Sequence, residues 1–298
     1  MTLGDDIRAA CARVAGRARQ VRIVAEAIEP CTRTLPADSP PTPDLAGVSL
    51  EQRAAFSLTL NSINFGSGWF PTLRKPAGLS GYRTVEAGLR ARGPRRAAEL
   101  AAIETAEVAA TFGQDPAHEL MALFTPALRE LGERVEAEHA GSFLALARCG
   151  EGSAERLAAT LARWPGWQDV SRYEGENVPF FKRAQIAAAD LHVAGIAPAE
   201  DLERLTLFAD NLVPHVLRLD GVLEFDERLV GRIEAGELLE HGSPEEVEIR
   251  ACALHAVELL VAAHGATTAT AVDNALWNRG AQPRYKARPR HRARTTAY

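Results

Sequence analysis

The residues best suited to chemistry lie where ionisable side chains interrupt apolar segments. Lys182 and Arg183 follow a Pro-Phe-Phe run, and Asp210 follows a Leu-Phe-Ala run. Burial of a lysine or an aspartate is costly in free energy unless its charge is paired or used. Because perturbed ionisable groups concentrate at functional sites, we expect the chemistry within the stretch from Tyr173 to Phe225.

The composition is that of a mainly helical globular protein. The chain has 298 residues, a net charge of −5 and 46% hydrophobic residues. This length suffices for a large core, and the abundant alanine, leucine, arginine and glutamate favour helix over sheet. We expect one compact helical catalytic domain over residues 1–298. The alternative is a scaffold lobe over about 1–165 and a catalytic lobe over about 166–298, with the site between them.

A basic region near the C-terminus contrasts with the acidic average. Between residues 279 and 294 seven cations occur without an acid: Arg279, Arg284, Lys286, Arg288, Arg290, Arg292 and Arg294. Such a region suits one phosphate group, whereas the net acidity argues against a stable nucleic-acid complex. The alternative is a solvated basic tail without a ligand.

The cysteines and the hydropathy pattern indicate the compartment. Cys11, Cys31, Cys149 and Cys252 have neither CxxC nor zinc spacing, so they are predicted to be reduced, mostly buried thiols. No signal peptide is evident, and charged residues interrupt the most apolar helix, so no membrane span is expected. We therefore predict a cytoplasmic monomer that needs no metal and no cofactor.

The N-terminal half is predicted to be helical scaffold. A first helix is expected over residues 5–28 and a second over about 50–63. A proline-rich loop separates them and contains Pro30, Pro36, Pro40, Pro41 and Pro43. Further helices without assigned chemistry are expected across residues 83–165.

The glycine-rich stretch from 64 to 82 permits two interpretations. It places four aromatic residues among glycines and prolines: Phe65, Trp69, Phe70 and Tyr82. Aromatic rings can stack on a nucleobase, and glycines allow the backbone to approach it closely, as a base-stacking pocket requires. The alternative is a loop held to the core by its aromatic side chains.

One helix in the C-terminal half has clear start and stop signals. Ser243 can cap it, Pro244 suits its first position, Glu246 can complete a capping box, and Gly265 can end it. A short strand or turn is expected at residues 223–225. The predicted fold class is therefore all-α, with at most a minor strand pair.

Six sequence blocks occur in the order of one family: LNSINFGSGWF (60–70), YEGENVPFFKRAQ (173–185), FADNLVPHVLRLDGVL (208–223), EVEIRA (246–251), DNALWNRG (273–280) and RPRHRARTTAY (288–298). Together they resemble the queuosine salvage family, the queuosine 5′-phosphate N-glycosylases. The resemblance implies an all-helical fold related to helix-hairpin-helix DNA glycosylases. It also implies release of the 7-deazaguanine base queuine from queuosine 5′-monophosphate for tRNA modification. One departure is Thr295-Thr296-Ala297, where aromatic residues are more usual.

On this resemblance Asp210 and Lys182 are the predicted catalytic residues. Asp210 precedes Pro214, whose fixed φ favours a helix start, so its carboxylate is expected near a helix N-terminus. There it can stabilise an oxocarbenium-like sugar and activate water. Lys182 can keep Asp210 ionised or touch the ribose or the leaving base. The alternatives are a plain helix cap and a structural lysine–carboxylate pair.

The predicted substrate contacts follow the parts of the nucleotide. Aromatic faces for the base are expected from Phe65, Tyr173 and Phe181, and polar partners for its edge from Asn61, Asn64 and Asn211. The base also carries a cyclopentenediol amine, and Glu174 or Glu176 can pair with its positive charge. The phosphate is assigned to His291, Arg292 and Arg294, since guanidinium groups bind phosphate with fork geometry.

Two further positions have a structural alternative. His215 is either a pocket donor or a core histidine. Arg250 and Glu248 in the EVEIRA block are expected to form a structural ion pair.

Two other classes of function remain open from the sequence. A base glycosylase acting on DNA or RNA would share the implied fold, but the net acidity argues against a duplex substrate. A non-enzymatic protein that binds queuine or a nucleotide would share the pocket and lack turnover.

Overall fold

The computed structural model describes residues 2–35 and 48–298. Helices account for 59% of the structure and strands for 6%, which confirms the all-α class. The helices, in chain order, are α1 Leu3–Ala15, α2 Ala25–Thr32, α3 Leu50–Ser62, α4 Gly81–Arg92, α5 Ala97–Ala101, α6 Thr105–Phe112, α7 Glu119–His139, α8 Phe143–Arg148, α9 Ala154–Leu161, α10 Lys182–Val193, α11 Leu212–Leu219, α12 Glu227–Glu234, α13 Pro244–His264, α14 Ala269–Arg279 and α15 Pro283–Lys286.

Four short strands form two antiparallel pairs. The strands are β1 Val21–Ile23, β2 Val170–Tyr173, β3 Glu176–Pro179 and β4 Leu223–Phe225. β1 pairs with β4, which confirms the short strand predicted at 223–225. β2 and β3 form a hairpin whose turn residues, Glu174 and Gly175, both have positive φ. Positive φ at both central positions matches the right-handed twist of the strands.

The single N-terminal helix predicted over residues 5–28 is wrong. α1 ends at Ala15, and β1 and α2 follow. The backbone N–H groups of Arg19, Gln20 and Val21 donate to the Glu248 carboxylate, which satisfies them outside a helix. Apolar spacing alone could not reveal this partner, which is more than 200 residues away in sequence.

The predicted proline-rich loop is only partly described. Pro30 lies inside α2, where its missing N–H removes one intrahelical hydrogen bond near the helix end. Its expected place in a loop is therefore wrong. Pro36, Pro40, Pro41 and Pro43 lie outside the described residues.

The chain divides into two compact units. The first comprises the described residues within 1–41, 169–185 and 201–294. Its core is built around α13, which packs against α1, α2, α11 and α14. α13 begins and ends as predicted, since Ser243 Oγ accepts from the Glu246 N–H and Gly265 adopts φ 72°. The Glu246 carboxylate bonds to the Gly242 N–H rather than to that of Ser243.

The second unit comprises the described residues within 42–168, 186–200 and 295–298. Its central helix is α7, which packs against α3, α5, α6 and α8. A Cβ at Gly132 would lie 2.4 Å from the Ala101 nitrogen and 2.5 Å from the Ala97 oxygen. Glycine at this position therefore permits α5 to lie directly against α7.

Within residues 2–35 and 48–298, no single helix is long and apolar enough to cross a membrane; α13 and α14 pass that test together but are bent by 112°. Cys11, Cys31 and Cys252 are buried and Cys149 is part-buried, all as free thiols. Burial raises the pKa of each thiol, that of Cys252 to about 12.

Candidate active site

Lys182 is a buried lysine at the first position of α10. Its backbone N–H donates to Asp169 Oδ2 at 3.0 Å, and 4% of the residue is exposed. Burial lowers its pKa to about 8. The negative charges of Asp210, Asp273 and Asp169 raise the pKa and so offset part of this effect. The lysine predicted from the apolar context is therefore buried among carboxylates, and its ammonium form prevails at neutral pH.

Asp210 lies at the start of α11, close enough to influence the charge of Lys182. Its Oδ1 accepts a hydrogen bond from the N–H of Leu212, the first residue of α11, at 2.7 Å, although the N-cap position itself is Asn211. Within the described part of the chain its Oδ2 has no hydrogen-bond donor, and the residue is part-buried. One oxygen is thus bound to the start of the helix and the other is left for chemistry, so a structural and a catalytic role of Asp210 are compatible.

Asp273 is a third carboxylate near Lys182, and the sequence patterns did not single it out. It lies on α14, is 7% exposed, and its Oδ1 accepts from the Phe208 N–H at 3.3 Å. Its charge favours the protonated form of Lys182. The available signal was an aspartate within a helix of mostly apolar residues.

A buried ion pair supports the segment that holds Asp210. Arg250 is fully buried and binds Asp169 with two hydrogen bonds of 2.9 and 2.7 Å. Its Nε donates to the Ala209 carbonyl at 3.0 Å, and its guanidinium lies 3.9 Å from the centre of the Phe180 ring. Arg250 thereby fixes the residue that precedes Asp210.

The predicted pairing of Arg250 with Glu248 is wrong. The carboxylate partners of Arg250 are Asp169 and Glu246, the latter at 3.7 Å. Glu248 instead accepts from the backbone that precedes β1 and from the Tyr173 hydroxyl, which lies 2.9 Å away. The reason is helix geometry, because residues two apart on α13 do not share a face.

Tyr173 and the hairpin carboxylates make structural contacts. Tyr173 is 5% exposed, and its hydroxyl is bonded to Glu248. Glu174 pairs with Arg19 at 2.7 Å and Glu176 with Arg17 at 2.8 Å, all near the surface. A contact of Tyr173 with the base stays a prediction.

Phe181 has an unusual backbone directly before Lys182. Its φ is +48°, a left-handed conformation that is rare for a bulky side chain, and its ring is only part-buried. Its N–H and that of Phe180 both point to the Asp169 carbonyl, at 3.3 and 2.9 Å. Backbone strain of this kind clusters at functional sites.

The terminal motif lies against the start of α11. Asn211 donates from Nδ2 to the His291 carbonyl at 3.1 Å, and both residues are 2% exposed. Burial lowers the pKa of His291 to about 4, so its imidazole is neutral at pH 7. Within the described residues its Nε2 has no hydrogen-bond partner.

The two predicted phosphate-binding arginines differ in exposure. Arg292 is part-buried and donates from Nη2 to the Gly236 carbonyl at 3.1 Å, beside a backbone bridge to Leu238. Arg294 is exposed. Arg290, which the sequence patterns did not single out, lies close enough to Asp210 for that charge to affect its pKa.

Much of the remaining basic region is neutralised locally. Arg279 binds Asp220 at 2.7 Å and Arg284 binds the same carboxylate. Arg288 binds Glu234 at 2.7 Å. These ion pairs hold the region to the first unit, so it is not a freely solvated tail.

His215 is placed as a core histidine. It is 3% exposed, its Nε2 lies 2.9 Å from the Tyr285 carbonyl, and burial lowers its pKa. The tautomer that donates from Nε2 leaves Nδ1 as a bare acceptor, which has no donor among the described side chains.

Asn61, Asn64 and Phe65 belong to the second unit. Asn61 donates to Asp190 Oδ2 at 2.8 Å and accepts from Asn64 at 3.3 Å. Phe65 is 3% exposed and packs edge-on against Phe124 at 5.1 Å. Burial of Phe65 favours the interpretation of this stretch as a core loop.

The side chains that could ligate a metal ion are dispersed across residues 2–35 and 48–298. In that part of the chain no group of three histidine, cysteine, aspartate or glutamate side chains is arranged to hold a metal ion.

Comparison with known proteins identifies the family. The profile of the family described as queuosine salvage protein matches residues 47–298. A Sphaerobacter thermophilus protein named queuosine 5′-phosphate N-glycosylase/hydrolase is 34% identical over 270 residues, which cover 83% of this chain and 82% of that protein. This chain therefore belongs to the queuosine salvage protein family.

Relatives that match over a shorter length carry the same name. The Bos taurus protein is 36% identical over 45% of this chain and 40% of its own length. The Schizosaccharomyces pombe protein is 32% identical over 45% of this chain and 40% of its own length. The matches thus span less than half of these eukaryotic relatives.

Proposed function

We propose that this protein is an N-glycosyl hydrolase that cleaves queuosine 5′-monophosphate and releases queuine for salvage into tRNA. Family membership and the printed name of the relatives support the substrate. The observation that carries the proposal is the burial of Lys182 among Asp210, Asp273 and Asp169. Buried ionisable groups of this kind are destabilising and are concentrated at functional sites.

Asp210 is proposed as the catalytic carboxylate. Its Oδ1 is held by the Leu212 N–H, which fixes the side chain and directs Oδ2 away from the helix start. The carboxylate stabilises the oxocarbenium-like sugar and accepts a proton from the attacking water on the face opposite the base. The C1′–N bond breaks as the C1′–O bond forms, and the departing base takes up a proton.

Lys182 is proposed to assist as an ammonium group. The neighbouring carboxylates favour its protonated form, and the ammonium group can hydrogen-bond the ribose or the leaving base. A 7-deazapurine has no N7 to protonate, so departure of the base needs a donor to another atom, such as its carbonyl oxygen. Lys182 is a candidate for that donor.

The proposed binding residues carry different amounts of structural support. Phe181 has the best support as a stacking face, because its ring is part-exposed next to Lys182. Tyr173, Asn211, His215, His291, Arg292 and Arg294 lie in the same unit as Asp210, and Asn61, Asn64 and Phe65 in the other. Their contacts with substrate, the helix-hairpin-helix arrangement, the monomeric state and the cytoplasmic location remain proposals.

The test is a direct assay of base release. Purified protein is incubated with queuosine 5′-monophosphate, queuosine and guanosine 5′-monophosphate, and free base is measured by mass-resolved chromatography. We expect queuine from the first substrate and no guanine from the last. No release from any of them, with tight binding still measurable, would favour a carrier protein. Release of a base from duplex DNA or RNA would favour a base-excision enzyme.

A further inference from the structure

Arg290 differs from four other cations of the basic region. Arg279, Arg284 and Arg288 are paired with carboxylates, and Arg292 binds a backbone carbonyl. Arg290 is part-buried, yet within the described residues its guanidinium makes neither a hydrogen bond nor an ion pair shorter than 4 Å. The carboxylate of Asp210 raises the pKa of Arg290 and the guanidinium of Arg292 lowers it.

Backbone contacts fix Arg290 on both sides. The preceding residue, Pro289, accepts a hydrogen bond from Arg218 Nη2 at 3.4 Å. The following residue, His291, accepts from Asn211 Nδ2 at 3.1 Å. Both donors belong to the segment that begins with Asp210 and continues as α11. The main chain at Arg290 is thus positioned beside the proposed catalytic carboxylate.

A partly desolvated guanidinium without a bound anion is unfavourable. Burial lowers the pKa of Arg290, against the opposing charge of Asp210. A bound anion would restore the hydrogen bonds that burial removes, and a guanidinium binds phosphate oxygens in a bidentate fork. In a nucleotide, one sugar ring and one exocyclic carbon separate the reacting C1′ from the phosphate. The Asn211–His291 hydrogen bond holds the main chain of Arg290 beside Asp210, so the guanidinium can reach the phosphate when Asp210 faces C1′.

We infer that Arg290 binds the 5′-phosphate of the substrate and selects the nucleotide over the nucleoside. This inference rests on the proposed function for the identity of the nucleotide. It moves the main phosphate contact from His291, Arg292 and Arg294 to Arg290, a part-buried arginine without a hydrogen bond or ion pair among the described residues. Arg292 then contributes by holding the motif to Gly236.

The experiment compares R290Q and R290K with R288Q as a matched control. Arg288 lies two residues away, and its exposed side chain pairs with Glu234, so R288Q removes the same charge elsewhere. We expect R290Q to lower kcat/KM for queuosine 5′-monophosphate roughly 10- to 100-fold and to leave kcat/KM for queuosine unchanged. R290K should recover part of the lost kcat/KM, because lysine keeps the positive charge but lacks the bidentate geometry of the guanidinium. R288Q should resemble the wild type.

Binding of ribose 5-phosphate and of ribose, measured by calorimetry, gives a second readout without turnover. We expect the wild type and R288Q to prefer the phosphorylated sugar and R290Q to lose that preference. An equal loss for nucleotide and nucleoside would make Arg290 a positioning residue for Asp210 and overturn the inference. An unchanged preference in R290Q would also overturn it. Phosphate-dependent binding without base release would keep the inference and reject the hydrolase.

Discussion

Asn211 and His291 are joined by a hydrogen bond from the Asn211 side chain to the His291 carbonyl at 3.1 Å. The bond links the residue after Asp210 to the terminal motif, 80 positions later. Two blocks that are distant in sequence are therefore parts of one site. The geometry of Asp210 depends on both.

Replacement of Asp210 tests the proposed chemistry. Asn can still accept the Leu212 N–H through its side-chain oxygen, so D210N should change the free energy of unfolding by less than about 1 kcal/mol. It cannot accept the proton from water, so kcat should fall by about 10²–10⁴-fold with little change in substrate affinity. Single-turnover kinetics and calorimetry separate the two effects.

The matched control for that variant is D226N. Asp226 caps α12 with the same side-chain bond, from the N–H two residues later, at 2.9 Å. D226N removes the same charge from a side chain that accepts a backbone N–H at the start of another helix, and we expect full activity. Wild-type hydrolysis in D210N would remove Asp210 from the mechanism.

The activity should depend on the protonation of Lys182. Its pKa is about 8, so the ammonium form prevails at neutral pH and is lost above pH 8. We expect kcat/KM to fall above about pH 8, approaching tenfold per pH unit. K182M should have low activity, and its kcat/KM should not begin to fall near pH 8. An increase in wild-type activity above pH 8 would instead assign Lys182 as a neutral base.

The same pKa shift predicts a pH-dependent stability. The pKa of Lys182 is about 8 in the folded protein, below the ordinary lysine value of 10.5 that applies to the unfolded chain. Between these values the unfolded chain binds more protons, so stability rises with pH. The free energy of unfolding of the wild type minus that of K182M should therefore rise by roughly 3 kcal/mol from pH 8 to 10.5. Urea titrations at several pH values measure it, and a flat difference would contradict the burial of the ammonium.

The buried pair of Asp169 and Arg250 should support the fold. D169N leaves the Arg250 guanidinium buried without its bidentate acceptor, which should cost roughly 3–5 kcal/mol of unfolding free energy. E138Q breaks the pair of Glu138 with Arg134, whose side chains are 38% and 39% exposed, and should cost less than about 0.5 kcal/mol. Comparable losses in the two variants would contradict a structural role of the buried pair.

Phe181 allows strain and binding to be separated. F181G relieves the left-handed backbone, which costs a side-chain-bearing residue roughly 1–2 kcal/mol, but removes a part-buried ring, so stability should change little. Loss of the stacking face should weaken substrate binding by roughly 1–3 kcal/mol. E151G relieves a similar φ of +49° at an exposed position and should leave KM unchanged. Unchanged KM in F181G would remove Phe181 from the base site.

Local signals were sufficient for several elements. α13 was predicted from Ser243, Pro244 and Gly265 because caps and stops act within one turn. The position of Asp210 before α11 followed from Pro214 in the same way. The carboxylates around Lys182 were not predicted, because Asp169 and Asp273 reach it through folding of distant segments. The early end of α1 was missed for the same reason, since Glu248 supplies the competing acceptor.

The buried cysteines allow local opening of the structure to be followed through the reactivity of their thiols. A thiol with a raised pKa and no access to solvent reacts slowly with alkylating reagents until the surrounding structure opens. Cys11, Cys31 and Cys252 lie in the first unit and Cys149 in the second. Mass spectrometry of timed alkylation would therefore follow the opening of the first unit through its three buried thiols, with the part-buried Cys149 reacting faster.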